Sequence, residues 1–365
     1  MHMADALISP QVGGTMWVAS LGLAAYSAHR LKPEMSERNI PLMGVMGAFV
    51  FAAQMINVTI PGTGSSGHLG GGMILTILLG PHAAFLVMFS ILAVQALFFA
   101  DGGLLALGCN VFNLGFWPCF VFYPLFKKII GKSPTHGRIL TASIVSGVLS
   151  LQLGAFGVVL QTLLSGISEL PFGTFLLLML PIHLGVGIIE GLVTAAVVSF
   201  VWRAQPELLK PPTESKPESE PESTTSLKPI LTTFAIVALA VGIFLSWFAS
   251  TQPDGLEWAL FRTTGKEELE APADGVHTKL AKLQEKTSFM PDYDFPEAAA
   301  IQELEAEEQA TETEAEAEIW PAINTGTSVA GVIGGGIVLA LAVLIGTLLR
   351  LLQRPQDIAA SHDAA

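Results

Sequence analysis

The chain has 365 residues, of which 51% are hydrophobic and only 13% charged, about half the charged share of an average soluble domain. With a mean hydropathy of +0.57 it is not an ordinary soluble globule: for most of the chain the solvent is lipid. The net charge of −13 gives no basic footprint for a nucleic-acid partner, and none is expected. Apolar stretches able to cross a hydrocarbon core of roughly 30 Å run near 11–29, 41–58, 82–100, 104–126, 137–164, 173–202, 229–249 and 323–349. The segment 69–79 is shorter, about 17 Å as a helix, and its length suits a partial span. Met1-His2-Met3-Ala4-Asp5 lacks the basic start of a cleavable signal peptide, so the mature chain is expected to begin at Met1. Cys109 and Cys119 share one apolar stretch without a CxxC pattern and read as small buried hydrophobes.

The Lys and Arg residues of 1–203 fall in clusters: Arg30, Lys32 and Arg38; Lys127, Lys128, Lys132 and Arg138; then Arg203. If 69–79 crosses, an even number of spans separates each cluster from the next. All three then share one side, which the positive-inside rule makes the cytoplasm. Without that crossing the first two clusters fall on opposite sides. Hence 69–79 is taken as a span ended by Gly80-Pro81, and one further span (11–29) puts the amino terminus and the loop 59–68 outside. Met1, His2 and His68 thereby share one face.

The region 1–203 is expected to form a seven-span bundle. Residues 204–228, rich in Pro, Glu and Ser, read as a flexible cytoplasmic linker. The region 229–349 then supplies two further transmembrane helices, 229–249 and 323–349, around an extracytoplasmic segment 250–322, and 350–365 is a cytoplasmic tail. Residues 250–322 carry 18 acidic and 5 basic residues, a net of −13 equal to that of the whole chain. The run Glu303 to Glu318 reads first as a solvated segment, with weak attraction for cations as the alternative. The fold class is an all-α integral membrane protein.

A free amino terminus followed by His2 is a preformed chelator. The Met1 amine, the deprotonated amide nitrogen of His2 and its imidazole Nδ1 can close two fused rings on one metal ion. Three nitrogens in a plane suit Ni(II) or Cu(II), and Co(II) less strictly, while tetrahedral zinc and oxygen-seeking magnesium fit poorly. The fourth position is open to His68, carried by Pro61-Gly62-Thr63-Gly64-Ser65-Ser66-Gly67, whose glycines permit close backbone approach. Taken singly, His2 reads first as an exposed terminal side chain; the shared face strengthens the chelate reading. His2 should leave Met1 uncleaved, and Met3, Ala4, Ala6, Leu7 and Ile8 should draw the terminus into the bundle.

Gly62, Gly64 and Gly67 match GxGxxG but sit between spans, not between a strand and a helix of a soluble βαβ unit, and are rejected as a dinucleotide site. The sequence contains no GxxxxGK[ST] and no HExxH, so this chain is not expected to hydrolyse ATP through a P-loop. Gln54, Asn57, Gln95, Asp101, Asn110, Asn113, Gln152, Gln161, His183 and Glu190 lie at or near membrane depth. The amides read as interhelical hydrogen bonds and the ionisable groups as functional candidates. His183 and Glu190, seven apart, share a helical face and read first as structural, pairing with each other, orienting a neighbouring helix or meeting a partner. His82 is expected on the cytoplasmic side, and His277 as a surface imidazole.

At MHMADALISP, GTGSSGHLGGG, ALFFADGGLLALGCNVFNLG and HLGVGIIEGLVTA the chain resembles the substrate-binding membrane component of nickel and cobalt energy-coupling-factor transporters, the NikM/CbiM family. The stretch 229–349, with Pro253-Asp254-Gly255-Leu256-Glu257, resembles the small accessory component of the same systems. The resemblance implies Ni2+ or Co2+ as transported substrate, held by the Met1 amine, the His2 amide and imidazole, and His68. It also implies a plasma-membrane location, with a transmembrane coupling protein and cytoplasmic ATPases as partners. The acidic tract 297–318 departs from the family pattern. A metal sensor or assembly factor, and less so an intramembrane metalloenzyme, are the competing readings.

Overall fold

The computed structural model describes residues 2–168, 170–206, 227–273, 275–296, 321 and 323–352. Met1, most of the expected linker, the acidic run Glu303 to Glu318 and the tail beyond 352 lie outside the described residues. The helices are α1 (Pro10–Leu31), α2 (Asn39–Gln54), α3 (Gly72–Leu79), α4 (Pro81–Phe98), α5 (Leu107–Ile130), α6 (His136–Ser165), α7 (Phe172–Ala204), α8 (Lys228–Ile243), α9 (Gly255–Thr264), α10 (Gly275–Thr287) and α11 (Thr325–Leu351). Local chemistry sets several of their ends. Ser9 accepts from Val12 N with Pro10 in the first turn, Thr135 accepts from Arg138 N, and Asn324 accepts from Gly326 N and Thr327 N, each meeting amides that a helix start leaves unpaired.

Five helices, α4, α5, α6, α7 and α11, are long and apolar enough to cross a membrane, and α2 and α8 are shorter apolar helices. The protein is an all-α membrane protein. α3, of 8 residues, covers only about 12 Å and is buried along almost its whole length. The middle of α5, Phe112–Phe122, winds as a wider π-helix that holds Pro118.

The helices approach closely where side chains are small, the usual means of association in lipid. A methyl added at Gly147 of α6 would lie 3.3 Å from Gly191 Cα of α7, and one at Gly187 only 2.8 Å from Val148 Cα. A methyl at Gly331 of α11 would meet Gly242 of α8 at 2.8 Å. Gly44 and Gly47 of α2 accept Val343 and Val338 of α11 in the same way. Through α2 the second half of the chain is thus packed onto the first. Large apolar side chains such as Val18, Leu164, Leu177, Ile236 and Leu344 point outward, as a lipid-facing surface requires.

Interhelical hydrogen bonds, the reading given to the membrane-depth amides, are present at five of them. Asn113 and Gln161 exchange hydrogen bonds of 2.8 and 3.1 Å, Gln95 donates to Gln54 at 3.0 Å, and Gln152 donates to Leu180 O. His183 and Glu190 do not pair. His183 Nδ1 bonds Met179 O at 2.8 Å, and Glu190 accepts from Gly70 N and Gly71 N at 2.6 and 3.2 Å, orienting the segment between His68 and α3.

Candidate metal centre

Three segments far apart in sequence meet at one end of the bundle. The first is the start of the chain. Met3, Leu7 and Ile8 are buried to within 1% of full burial, and Ala6 with them, whereas Ala4 is exposed, so the expected apolar anchor holds for four of its five residues. Asn110 of α5 grips the backbone of residue 3 from both sides, accepting from Met3 N (2.8 Å) and donating to Met3 O (3.2 Å). Asp5 accepts from Ala106 N at 2.9 Å.

The second segment is the loop between α4 and α5. Ala100 and Gly102 have positive φ, 56° and 81°. A methyl on Gly102 would come within 2.9 Å of Asn110 Nδ2 and 3.2 Å of His2 Cβ, and one on Gly103 would strike Asp5. Asp101-Gly102-Gly103 is therefore the loop that lets the terminus lie against the helices, and it brings Asp101 Oδ1 to 2.8 Å from His2 Nδ1. Burial raises the Asp101 pKa, but the charge and hydrogen bond of His2 and the hydrogen bond from Tyr293 outweigh it and hold the carboxyl below the usual carboxylate range. It is ionised at neutral pH.

The third segment is a short hairpin, β1 (Val58–Ile60) antiparallel to β2 (Ser65–Gly67), turned through Gly62 and Gly64 at φ 79° and 76°. It ends on His68, whose ring stacks on that of His2 with centroids 4.8 Å apart and planes at 19°. His68 Nδ1 faces Leu69 O at 3.0 Å, so a neutral ring carries its lone pair on Nε2, the common arrangement of a metal-ligating histidine. Burial, reinforced by the charge of His2, pushes the His68 pKa down to about 3. Beneath the loop, Gln54 donates to Gly70 O at 2.8 Å.

Of the sequence-predicted ligands, His2 and His68 are together, and Met1 lies outside the described residues. Nδ1 of His2, the expected chelating nitrogen, is engaged by Asp101, and Nε2 is buried with no hydrogen-bond partner among the described residues. Those residues contain no group of three or more His, Cys, Asp or Glu placed to hold a metal ion. His82 opens α4 beside Tyr26 and Phe120, whereas Asp101 follows the other end of that 18-residue helix, about 27 Å away by helix rise.

The segment between α8 and α11 grips all three parts of the site. Ser66 N donates to Pro253 O at 2.8 Å and Ser66 Oγ to Gln252 O at 2.7 Å, just before Asp254 and Glu257 close a capping box on α9. On α10, His277 is 4% exposed and its Nε2 lies 2.8 Å from Ile8 O. It is no surface imidazole. α10 is polar, but its His277 face covers the chain start. Gln284 donates to Ala96 O and Gly102 O, and Asp292 N to Phe99 O. Tyr293, at φ 62°, stacks on Phe99 and donates its hydroxyl to Asp101 Oδ2 at 2.5 Å. The adjacent Gly102-Gly103 was the signal in the sequence for the Asp101 loop; nothing in it marked Tyr293.

The family profile described as the cobalt uptake substrate-specific transmembrane region matches residues 2–208, and that of the PDGLE domain matches 228–351. A putative metal transport protein of Haloquadratum walsbyi is 35% identical over 57% of this chain and 93% of its own length. A putative fused nickel transport protein, NikMN, of Archaeoglobus fulgidus is 35% identical over 58% of this chain and 68% of its own. A crystal structure of a transition metal transporter superposes with a TM-score of 0.51 at 28% identity, over 57% of this chain and 95% of that one. The chain belongs to the family of the cobalt uptake substrate-specific transmembrane region, joined here to a PDGLE domain.

Proposed function

We propose that the chain captures a divalent transition metal ion, nickel first and cobalt a close second, as the substrate-binding subunit of an ATP-driven importer of the energy-coupling-factor type. The observation that carries the reading is the stacking of His2 on His68, two imidazoles delivered from distant segments to one end of a membrane bundle. Relatives named as nickel and cobalt transport proteins support it, as does the profile spanning 2–208.

The ligands are the Met1 amine, the His2 amide and Nδ1, and His68 Nε2. Loading takes Nδ1 away from Asp101, and the ring then carries its proton on Nε2 while the amide releases one. Binding is therefore coupled to proton release. The anionic Asp101 remains beside the ion and favours its charge. A transmembrane coupling protein and cytoplasmic ATPases are the partners, in a plasma membrane with the amino terminus outside and the carboxyl terminus inside.

Metal analysis of the protein purified from cells supplied with nickel, cobalt and zinc together tests the reading. About one equivalent of nickel or cobalt is expected; recovery of zinc alone overturns it.

A further inference from the structure

Glu190 is 1% exposed on α7, at a depth where an ionisable side chain is costly and is retained for what it does there. Its Oε2 accepts from two successive backbone amides, Gly70 N at 2.6 Å and Gly71 N at 3.2 Å. These belong to the segment that leads from His68 into α3. The carbonyl of Gly70 is held as well, accepting from Gln54 of α2 at 2.8 Å, while Gln54 accepts from Gln95 of α4 at 3.0 Å. Gly70 is thus gripped at nitrogen by α7 and at oxygen by α2.

The grip depends on the absence of side chains in the loop. A methyl at Gly70 would lie 3.0 Å from Glu190 Oε2 and 3.1 Å from Leu151, and one at Gly71, whose φ is +73°, would strike Val50. Before His68 the chain is fixed too, because Ser66 N donates to Pro253 O at 2.8 Å. His68 therefore hangs between two anchors, Ser66 and Gly70, each two residues away. With so short a tether on both sides, the stacking of its ring on His2 at 4.8 Å depends on both anchors.

We propose that Glu190 is the positioning residue of the capture site: by holding Gly70 and Gly71 it fixes the loop that presents His68 to the ion. The inference rests on the proposed capture at the amino terminus. Glu190 acts on the backbone of the loop, so its effect on the bound ion passes through His68. A carboxylate that merely supported the fold would lower stability and leave the ion's ligand set unchanged.

The test is a double-mutant cycle, read by isothermal titration of nickel into the purified full-length chain. Glu190→Leu keeps a side chain of similar size and removes the acceptor. Affinity should fall by about tenfold or more, the scale usual for outer-shell partners. In a His68→Ala background the same substitution should change affinity by less than about threefold, since two residues acting on one interaction are not additive. Glu190→Gln keeps an acceptor oxygen of the same reach and should retain most of the parental affinity. The visible absorption of bound nickel gives a second readout: the band of Glu190→Leu should match that of His68→Ala and not that of the parent. Parental affinity or a parental band in Glu190→Leu, an equal loss in the two backgrounds, or a loss in Glu190→Gln as large as in Glu190→Leu overturns the proposal. Should Glu190→Leu not fold, Gly70→Ala crowds the same contact from the loop side; its loss of affinity should likewise vanish in the His68→Ala background, and parental affinity or a loss that persists there overturns the proposal. Failure of the capture reading is seen separately: a chain with one residue inserted before Met1 that binds nickel as tightly as the parent removes that reading, whatever the Glu190 variants show.

Discussion

His2 Nδ1 lies 2.8 Å from Asp101 Oδ1, and the other oxygen of the same carboxylate accepts the Tyr293 hydroxyl. A residue of the PDGLE domain is thus two hydrogen bonds from the imidazole proposed to hold the ion. The carboxylate has two opposed effects. As a partner of Nδ1 it competes with the metal, at a cost of about 1–3 kcal/mol for one charge-assisted hydrogen bond. As an anion it attracts a doubly charged ion by roughly 7 kcal/mol for a separation of about 5 Å at an effective dielectric of about 20, before solvation.

Attraction wins, so Asp101→Asn should weaken nickel binding by about tenfold or more, the scale usual for outer-shell partners. Tyr293→Phe, which removes only the supporting hydroxyl, should weaken it less. Isothermal titration checks both, and tighter binding by Asp101→Asn would show that competition dominates.

Inserting one residue before Met1 should abolish high-affinity binding, because a peptide-linked nitrogen is no longer a basic amine donor. Titration of that variant beside the parent decides it, and parental affinity would mean that the terminal chelate is not the site.

Replacing residues 207–226, the part of the expected linker outside the described residues, by a Gly/Ser segment of equal length should leave uptake nearly unchanged, since the sequence assigns that stretch no fixed structure. A large loss at equal protein levels would show that the stretch contacts a partner.

Span parity put His2 and His68 on one face, and the two rings do meet. Parity needs only charges and hydropathy, both local properties of the chain. Asp101 and Asn110 were legible as polar residues near membrane depth but not as partners of the terminus, because contacts across 99 and 107 positions depend on how α4 and α5 are joined. His277 was misread for a related reason: its helix is polar by composition, and only the packing of Ile8 beneath it makes that face an interior one. The small residues that bring α6 against α7 were in plain view, but which glycine opposes which is set by tertiary packing.

His68→Ala should weaken metal binding far more than His82→Ala, since His82 sits at the opposite end of α4. Three nitrogens of the terminal chelate remain, so binding falls without vanishing. His277→Ala should cost a smaller amount through the lost Nε2 contact with Ile8 O, which steadies the segment carrying His2. The pH response separates the ligands further. Burial above all lowers the His68 pKa to about 3, against about 6.5 in the unfolded chain. The folded state therefore binds fewer protons at this position. The stability contributed by its neutral ring is full above pH 6.5 and is lost progressively as pH falls toward 3. At pH 5.5 the folded ring is still neutral and still a ligand, so loss of affinity between pH 7.5 and 5.5 should come chiefly from protons returning to the amine and the amide. Consequently parent and His68→Ala should lose affinity by a similar factor over that interval, while the melting temperature of the metal-free parent should fall more steeply than that of His68→Ala below pH 6.5. Titrations at the two pH values and a melting series check these outcomes. Equal affinities of parent and His68→Ala at pH 7.5, or a large loss for His82→Ala, would take His68 out of the site.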